Sequence, residues 1–333
     1  MAKGYNPTEY IYSSARIRAL ETRIATRERI YHLADAESSA QVVSQLEDMG
    51  FDTSGGTDGA AREDMLDSLL VKGYAEIASM ECSSAIAFMR YQYDANNIKA
   101  LIKSAARGVS PESMLSTLGT VELSVLNDAF SKKDYAAFPK NIEAAIHEAE
   151  EAFASTKNPQ KIDFIIDRAC FADMREAAEA SGIELAKKLV VAKIDQTNIM
   201  ITLRVLQMKL GMIADSVLSE AYIEGGSFSL DELKSALAEG EDALARCASG
   251  AGYTVLGDAI VEREMLGSLE KKVDDLWLNR AKDAKHLIFG AEVAIGYIAA
   301  LEYVVKNVRI ILAGKDAGLA PERIRERLRD CYV

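Results

Sequence analysis

Imidazole is scarce in this chain: the histidines are His32, His147 and His286, and no two lie near each other in sequence. A lone histidine on a mixed helix is ordinarily a surface or core residue, so a histidine-based metal site or general base has no support. The signatures H-E-x-x-H, G-x-S-x-G and G-x-x-x-x-G-K-[ST] are all missing, which removes zinc hydrolysis, a serine elbow and a phosphate loop. Cys82, Cys170, Cys247 and Cys331 stand far apart with no C-x-x-C pair. The first twelve residues, Met1 to Tyr12, are polar and mixed and carry no apolar leader. Both features fit a reducing cytoplasm better than secretion. Long charge-free runs are missing too. The most membrane-like stretch, 290–313, contains Glu292, Glu302, Lys306 and Arg309, each too costly at a bilayer centre. The chain is expected to have no membrane span and to sit at a membrane only through a partner.

A net charge of −12 argues against general affinity for nucleic acid, because phosphate binding needs a concentrated basic face. The charge is uneven. Residues 10–30 and 303–333 each carry a net +3, and the stretch between them carries −18. The plain reading of the basic ends is solvated helix faces; the sharper one is contact with a partner.

Only five prolines interrupt the 333 residues, while 49% are hydrophobic and good helix formers dominate. Apolar residues recur at helical spacing, so the expected fold class is all-α. The last long helix shows the pattern: Ile298, Leu301, Val304, Val305, Val308, Ile311 and Leu312 would form one apolar face. Segments 161–180 and 262–282 carry shorter versions and are expected to pack against it as hairpins.

The main signal is an internal repeat. Tyr93-Asp94-Ala95-Asn96-Asn97-Ile98 is echoed by Ile194-Asp195-Gln196-Thr197-Asn198-Ile199 and by Val304-Val305-Lys306-Asn307-Val308. Gly108 and Gly318 each lie eleven residues after Asn97 and Asn307, and Pro111-Glu112 and Pro321-Glu322 begin fourteen after them. A helix that stops at glycine, followed by one that starts with proline and an acid, accounts for this spacing. Ser110 would cap the first such helix. The middle copy offers Gly211 and no proline. A partial fourth copy opens the chain, where Ser14-Ala15-Arg16-Ile17 reads like Asn307-Val308-Arg309-Ile310. Expected units are 1–155 (a partial repeat plus the first unit), 156–255 and 256–333. Junctions are expected near 53–59, 155–161 and 249–257, rich in Gly, Thr, Ser or Asn-Pro.

Little here suggests chemistry. Gly250-Ala251-Gly252 lacks the third glycine and the preceding strand of a dinucleotide site, and reads as a loop. Asp274-Asp275 is a paired acid of the kind that holds magnesium, but the next helical turn brings Leu278 and Asn279, so a solvated acidic face is expected. The Asp94/Asn97 and Asp195/Asn198 pairs share a helix face. Recurrence in each unit favours satisfaction of buried polar groups over an active site, which would not be needed three times. No catalytic, cofactor-binding or metal residue is assigned, and no cofactor is expected.

These residues together resemble the C subunits of archaeal/vacuolar-type (A/V-type) rotary ATPases, relatives of the eukaryotic vacuolar subunit d. The resemblance rests on Tyr10-Ile11-Tyr12 with Ala15-Arg16-Ile17-Arg18-Ala19, on Tyr93 to Lys103, and on Ile194 to Arg204. It is strongest from Gly296-Tyr297 through Glu302 and Asn307-Val308-Arg309 to Gly314-Lys315. One position departs: Val304 stands where the family commonly has a second acid. The resemblance implies three similar helical subdomains with pseudo-threefold symmetry, arranged as a funnel. It also implies a non-catalytic central-stalk role at the cytoplasmic face of the membrane, with the proteolipid rotor ring and the central axle subunits as partners. Such a protein would transmit torque between ATP chemistry and proton or sodium transport. The rival readings are a generic helical-repeat scaffold, which would show shorter and more uniform units, and an all-helical enzyme, which would need convergent polar residues.

Overall fold

The computed structural model describes residues 5–55 and 59–333. Among the described residues there are sixteen α-helices, six short 3-10 turns and no strand. In chain order the helices begin with α1 (Ile11–Glu21), α2 (Arg27–Leu33), α3 (Ser39–Leu46) and α4 (Gly59–Ala78). Next come α5 (Ala87–Arg107), α6 (Leu123–Lys132), α7 (Lys140–Thr156) and α8 (Pro159–Ser181). They continue as α9 (Glu184–Met208), α10 (Ala214–Ala221), α11 (Leu230–Glu239) and α12 (Glu241–Gly250). The last are α13 (Thr254–Val261), α14 (Leu266–Ala281), α15 (Glu292–Asp316) and α16 (Pro321–Arg327).

Local chemistry sets many of these bounds. Thr26 and Ser38 cap α2 and α3 by accepting from the backbone N–H three residues on, and Ser229 with Glu232 forms a reciprocal capping box on α11. Pro159 and Pro321 open α8 and α16, where a missing N–H costs nothing. At 155–161 two helices meet within one compact unit: α7 ends at Thr156 and Lys157 turns left-handed before α8. At 249–257 the break is only the turn 251–253, because Gly257 lies inside α13, where a Cβ would crowd Ser249 and the Ala245 carbonyl. The 53–59 junction falls partly outside the described residues.

The chain forms two compact units. The first draws on residues up to Ala87, on Ser181–Ala186 and on Asp274–Val333; the second comprises Phe88–Ala180 and Lys187–Val273. In the first unit α15 is the central rod, packed against α1 to α4 and α16. One apolar face was expected of it. Instead Val293 to Leu301 are buried in an unbroken run, so its first half is covered on every side. Neighbours on all flanks, not a single hairpin partner, account for the difference. Small residues permit that closeness: Gly296 sits against the Tyr332 hydroxyl and the Ala284 methyl, and Gly314 against Ile324. Each large aliphatic side chain buried this way contributes roughly 1.5–3 kcal/mol.

In the second unit α9 is the buried rod, with Ile194, Ile199 and Leu203 almost wholly enclosed. The 161–180 segment, expected against the final helix, runs beside α5, where Lys99 and Lys103 pair with Asp167 and Asp163. The 262–282 segment does meet α15, through a Trp277–Tyr303 stack with ring centroids 6.1 Å apart.

Candidate functional site: repeated polar clamps

The three repeat asparagines sit mid-helix on α5, α9 and α15, at most 1% exposed. The Asn97 amide donates to the Ser116 carbonyl and accepts from its N–H, both at 2.8 Å. Asn198 does the same to Ile223 at 2.8 and 3.0 Å, and Asn307 to Arg329 at 3.1 and 2.8 Å. A primary amide carries one acceptor and donors at the spacing of a residue's own C=O and N–H, so one asparagine satisfies both groups of a returning chain segment. Without it, those groups, buried at Ile223 and part-buried at Ser116 and Arg329, would lose their partner. The clamped residue lies 19, 25 and 22 residues downstream in the three copies. The grip is constant and the loop length is not.

Ser14, the residue aligned with Asn307 in the partial opening copy, makes the same two-point contact with a hydroxyl. Its Oγ accepts from Gly290 N–H at 3.0 Å and donates to the Gly290 carbonyl at 3.3 Å. The grip is the same, but its partner lies 276 residues away and not on the next returning segment.

The aspartates one turn earlier hold a second point. Asp94 accepts from the Thr120 N–H and hydroxyl, at 2.9 and 2.6 Å, and from Val121 N–H at 3.2 Å. Asp195 accepts from Ser227 N–H and hydroxyl and, at 2.8 Å, from the Tyr253 hydroxyl. Burial pushes the Asp94 carboxyl up, and the Thr120 and Val121 donors partly oppose that. In both copies a glycine, Gly119 or Gly226, precedes the bonded Thr or Ser, and a Cβ there would overlap the carboxylate. These Gly-Thr and Gly-Ser pairs were readable in the sequence only as ordinary turns.

The third copy has Val304 at the acidic position, and α14 supplies the acids instead. Asp275 accepts from Asp330 N–H at 2.6 Å, while Asp274 holds Lys306 at 2.7 Å and Arg329 at 2.8 Å. The Asp274 side chain is 13% exposed, so the expectation of a solvated acidic face is corrected. Both acids are half-buried, taken up by the returning C-terminal segment, for which α15 offers no acid.

Each long helix also ends the same way. Gly108 and Gly318, eleven residues past their asparagines, both have φ +67°. In the middle copy the eleventh residue is Lys209, which itself adopts φ +51°. Gly211 is two residues late and is not the equivalent. After the first tip, an α-helix expected at Pro111 is only a 3-10 turn, Glu112–Met114, with Ser110 Oγ accepting from Glu112 N–H at 3.4 Å. The 19-residue reach to Ser116 leaves about one helical turn less than the 22 residues that accommodate α16. Val109 and Met114 beside the first tip, and Met208, Met212 and Ile213 beside the second, are exposed.

His32, His147 and His286 are each exposed on separate elements. No group of histidine, cysteine and acidic residues fit to hold a metal ion occurs among the described residues. The basic ends, read as solvated faces, are partly spent on ion pairs: Arg16 with Glu76, Arg309 with Glu63 and Arg325 with Asp35. No described helix is long and apolar enough to cross a membrane.

A polar framework that serves folding in every copy is what a repeat-built protein would carry, and sequence comparison decides which one. The model of the ATP synthase (C/AC39) subunit family matches residues 13–327. The chain belongs to that family, the C subunits of A/V-type ATPases. Among its relatives, the C subunit of the A-type ATP synthase of Methanocaldococcus jannaschii is 25% identical over 96% of this chain and 86% of its own length. The C subunit of the V-type sodium ATPase of Enterococcus hirae is 27% identical over 73% of this chain and 74% of its own. The C subunit of the V-type ATP synthase of Thermus thermophilus is 20% identical over 78% of each. Membership in the C/AC39 family makes this chain part of a rotary ATPase complex engaged in ATP synthesis or ion transport, and places it among non-catalytic subunits.

Proposed function

We propose that this protein is a central-stalk adaptor, linking the proteolipid rotor ring to the axle subunits and passing torque between them. On this reading it sits at the cytoplasmic side of the membrane, without a nucleotide, metal or nucleophile of its own. Three helical subdomains, approximately 1–155, 156–255 and 256–333, would be arranged with pseudo-threefold symmetry as a funnel. The observation that best supports this is the repeated clamp: Asn97, Asn198 and Asn307 each bind both backbone groups of one downstream residue. A torque-bearing spacer must keep its shape under load, and buried two-point bridges hold returning segments to the central helices more stiffly than apolar contact alone.

The test is purification of the assembly from native membranes through a tag on this chain. Proteolipid and axle subunits should be recovered with it in fixed stoichiometry, and depletion of the chain should uncouple ATP hydrolysis from ion transport. Recovery of the chain without either partner, or coupling that survives its removal, would overturn the stalk reading.

A further inference from the structure

Within the first unit, the end of α1, residues near Gly50, α4 and α15 surround a cleft of ≈ 260 Å³. Its walls are apolar, with Leu20, Ile24, Met49, Leu69, Leu301 and Val304 exposed to the interior. The cleft is not a sign of loosely packed helices. At its edge Gly73 lies so close to Leu301 that a Cβ would overlap that side chain. Four polar residues share the lining: Arg23, Lys72, Glu76 and Tyr297.

Two of these four are uncommitted. Tyr297 is 7% exposed, yet its hydroxyl makes no hydrogen bond with any described residue. The hydroxyl oxygen itself is not sealed from solvent, so it is a donor open to a ligand. The Arg23 guanidinium likewise makes no hydrogen bond or ion pair among the described residues. The other two are engaged, Lys72 donating to the Gly50 carbonyl at 2.7 Å and Glu76 pairing with Arg16. Arg23 and Lys72 outnumber Glu76 in the lining, which thus carries a net positive charge and an unused donor beside apolar walls. At the Tyr297 hydroxyl itself, Glu76 outweighs Arg23. Burial raises the Tyr297 hydroxyl, as do Glu76 and Glu21, while Arg23 opposes them, so it stays a donor.

We propose that this cleft binds a small amphiphilic carboxylate, its headgroup held by Arg23 and Tyr297 and its apolar body lying against Leu69, Leu301 and Val304. At about 30 Å³ per water-sized group, the ≈ 260 Å³ holds roughly nine non-hydrogen atoms, close to the size of an eight-carbon fatty acid. Arginine suits the head, since its planar fork matches a carboxylate. The apolar wall suits the tail, because each methylene removed from water favours binding. The site is independent of the stalk reading and involves no covalent step.

The experiment is calorimetric titration of the full chain with sodium octanoate, below its micellar range, beside octylammonium and acetate. Saturable 1:1 binding of octanoate is expected, at least ~10-fold tighter than either control. Arg23→Gln, at an exposed position, and Tyr297→Phe, which keeps the ring, should each weaken octanoate binding ~5–10-fold while leaving the dichroism spectrum and melting curve unchanged. Failure of octanoate to saturate would overturn the proposal. So would equal binding of octylammonium, or well-folded variants that bind as tightly as the parent.

Discussion

Asn198 carries more structure than its side chain suggests. It is fully buried and supplies both hydrogen bonds to Ile223. Asn198→Leu is therefore expected to lower the melting temperature of the isolated protein, since each orphaned backbone group costs about 1–3 kcal/mol. Measuring melting beside retention in the complex separates roles: unchanged melting with lost assembly would make Asn198 a partner contact instead. Its neighbour Gln196 is the opposite case, fully buried with both amide atoms unpaired among the described residues. Gln196→Met, close in volume, should raise stability by about 1–3 kcal/mol in a urea titration, because no bond is lost and two buried polar atoms disappear. The cysteines allow a pH test. Burial, helped by Asp330, pushes the Cys331 thiol up to about 11, and burial beside Asp167 pushes Cys170 up as well. The folded state favours the neutral Cys331 thiol. Its stabilising contribution is thus complete below the ordinary thiol value of 9.0 and lost as pH rises through about 11. At pH 8, native-state iodoacetamide labelling followed by mass spectrometry should find half-buried Cys247 modified first, with Cys170 and Cys331 reacting only on unfolding.

At the scale of elements, the three long helices α5, α9 and α15 end on one geometry with unequal residues. Lys209 occupies the left-handed position where Gly108 and Gly318 stand, and a side chain there costs roughly 1–2 kcal/mol relative to ordinary helix. Lys209→Gly is expected to stabilise the chain, by less than that amount because glycine also frees the unfolded state, to about 0.5–1 kcal/mol. A denaturation midpoint equal to or below the parent's would show that the lysine side chain makes a compensating contact. The helices themselves were legible because their spacing, caps and prolines act within a few residues. The Pro111 helix was not, because the tether from Asn97 to Ser116 decides how much chain remains for it. Nor was the partial burial of Asp274, whose partners Lys306 and Arg329 lie 32 and 55 residues away.

For the molecule as a whole, the absence of a phosphate-cradling sequence carries an expectation: the isolated protein should neither hydrolyse ATP nor bind it tightly. Stoichiometric micromolar binding in a calorimetric titration with magnesium present would contradict it. The sequence by itself determined an all-helical chain, the register of Asn97, Asn198 and Asn307, and membership in the C/AC39 family. Periodicity, caps and repeated motifs are local, and local interactions are written in neighbouring residues. Tertiary structure alone decided what those asparagines hold, that Ser14 repeats their grip on Gly290, and that α14 lends Asp274 and Asp275 where Val304 leaves the third copy without an acid. It also decided that Arg23 and Tyr297 share one cleft. Such pairings join residues up to 276 apart, and a buried polar group must find its partner wherever the packed helices bring one within reach, a condition no stretch of sequence contains.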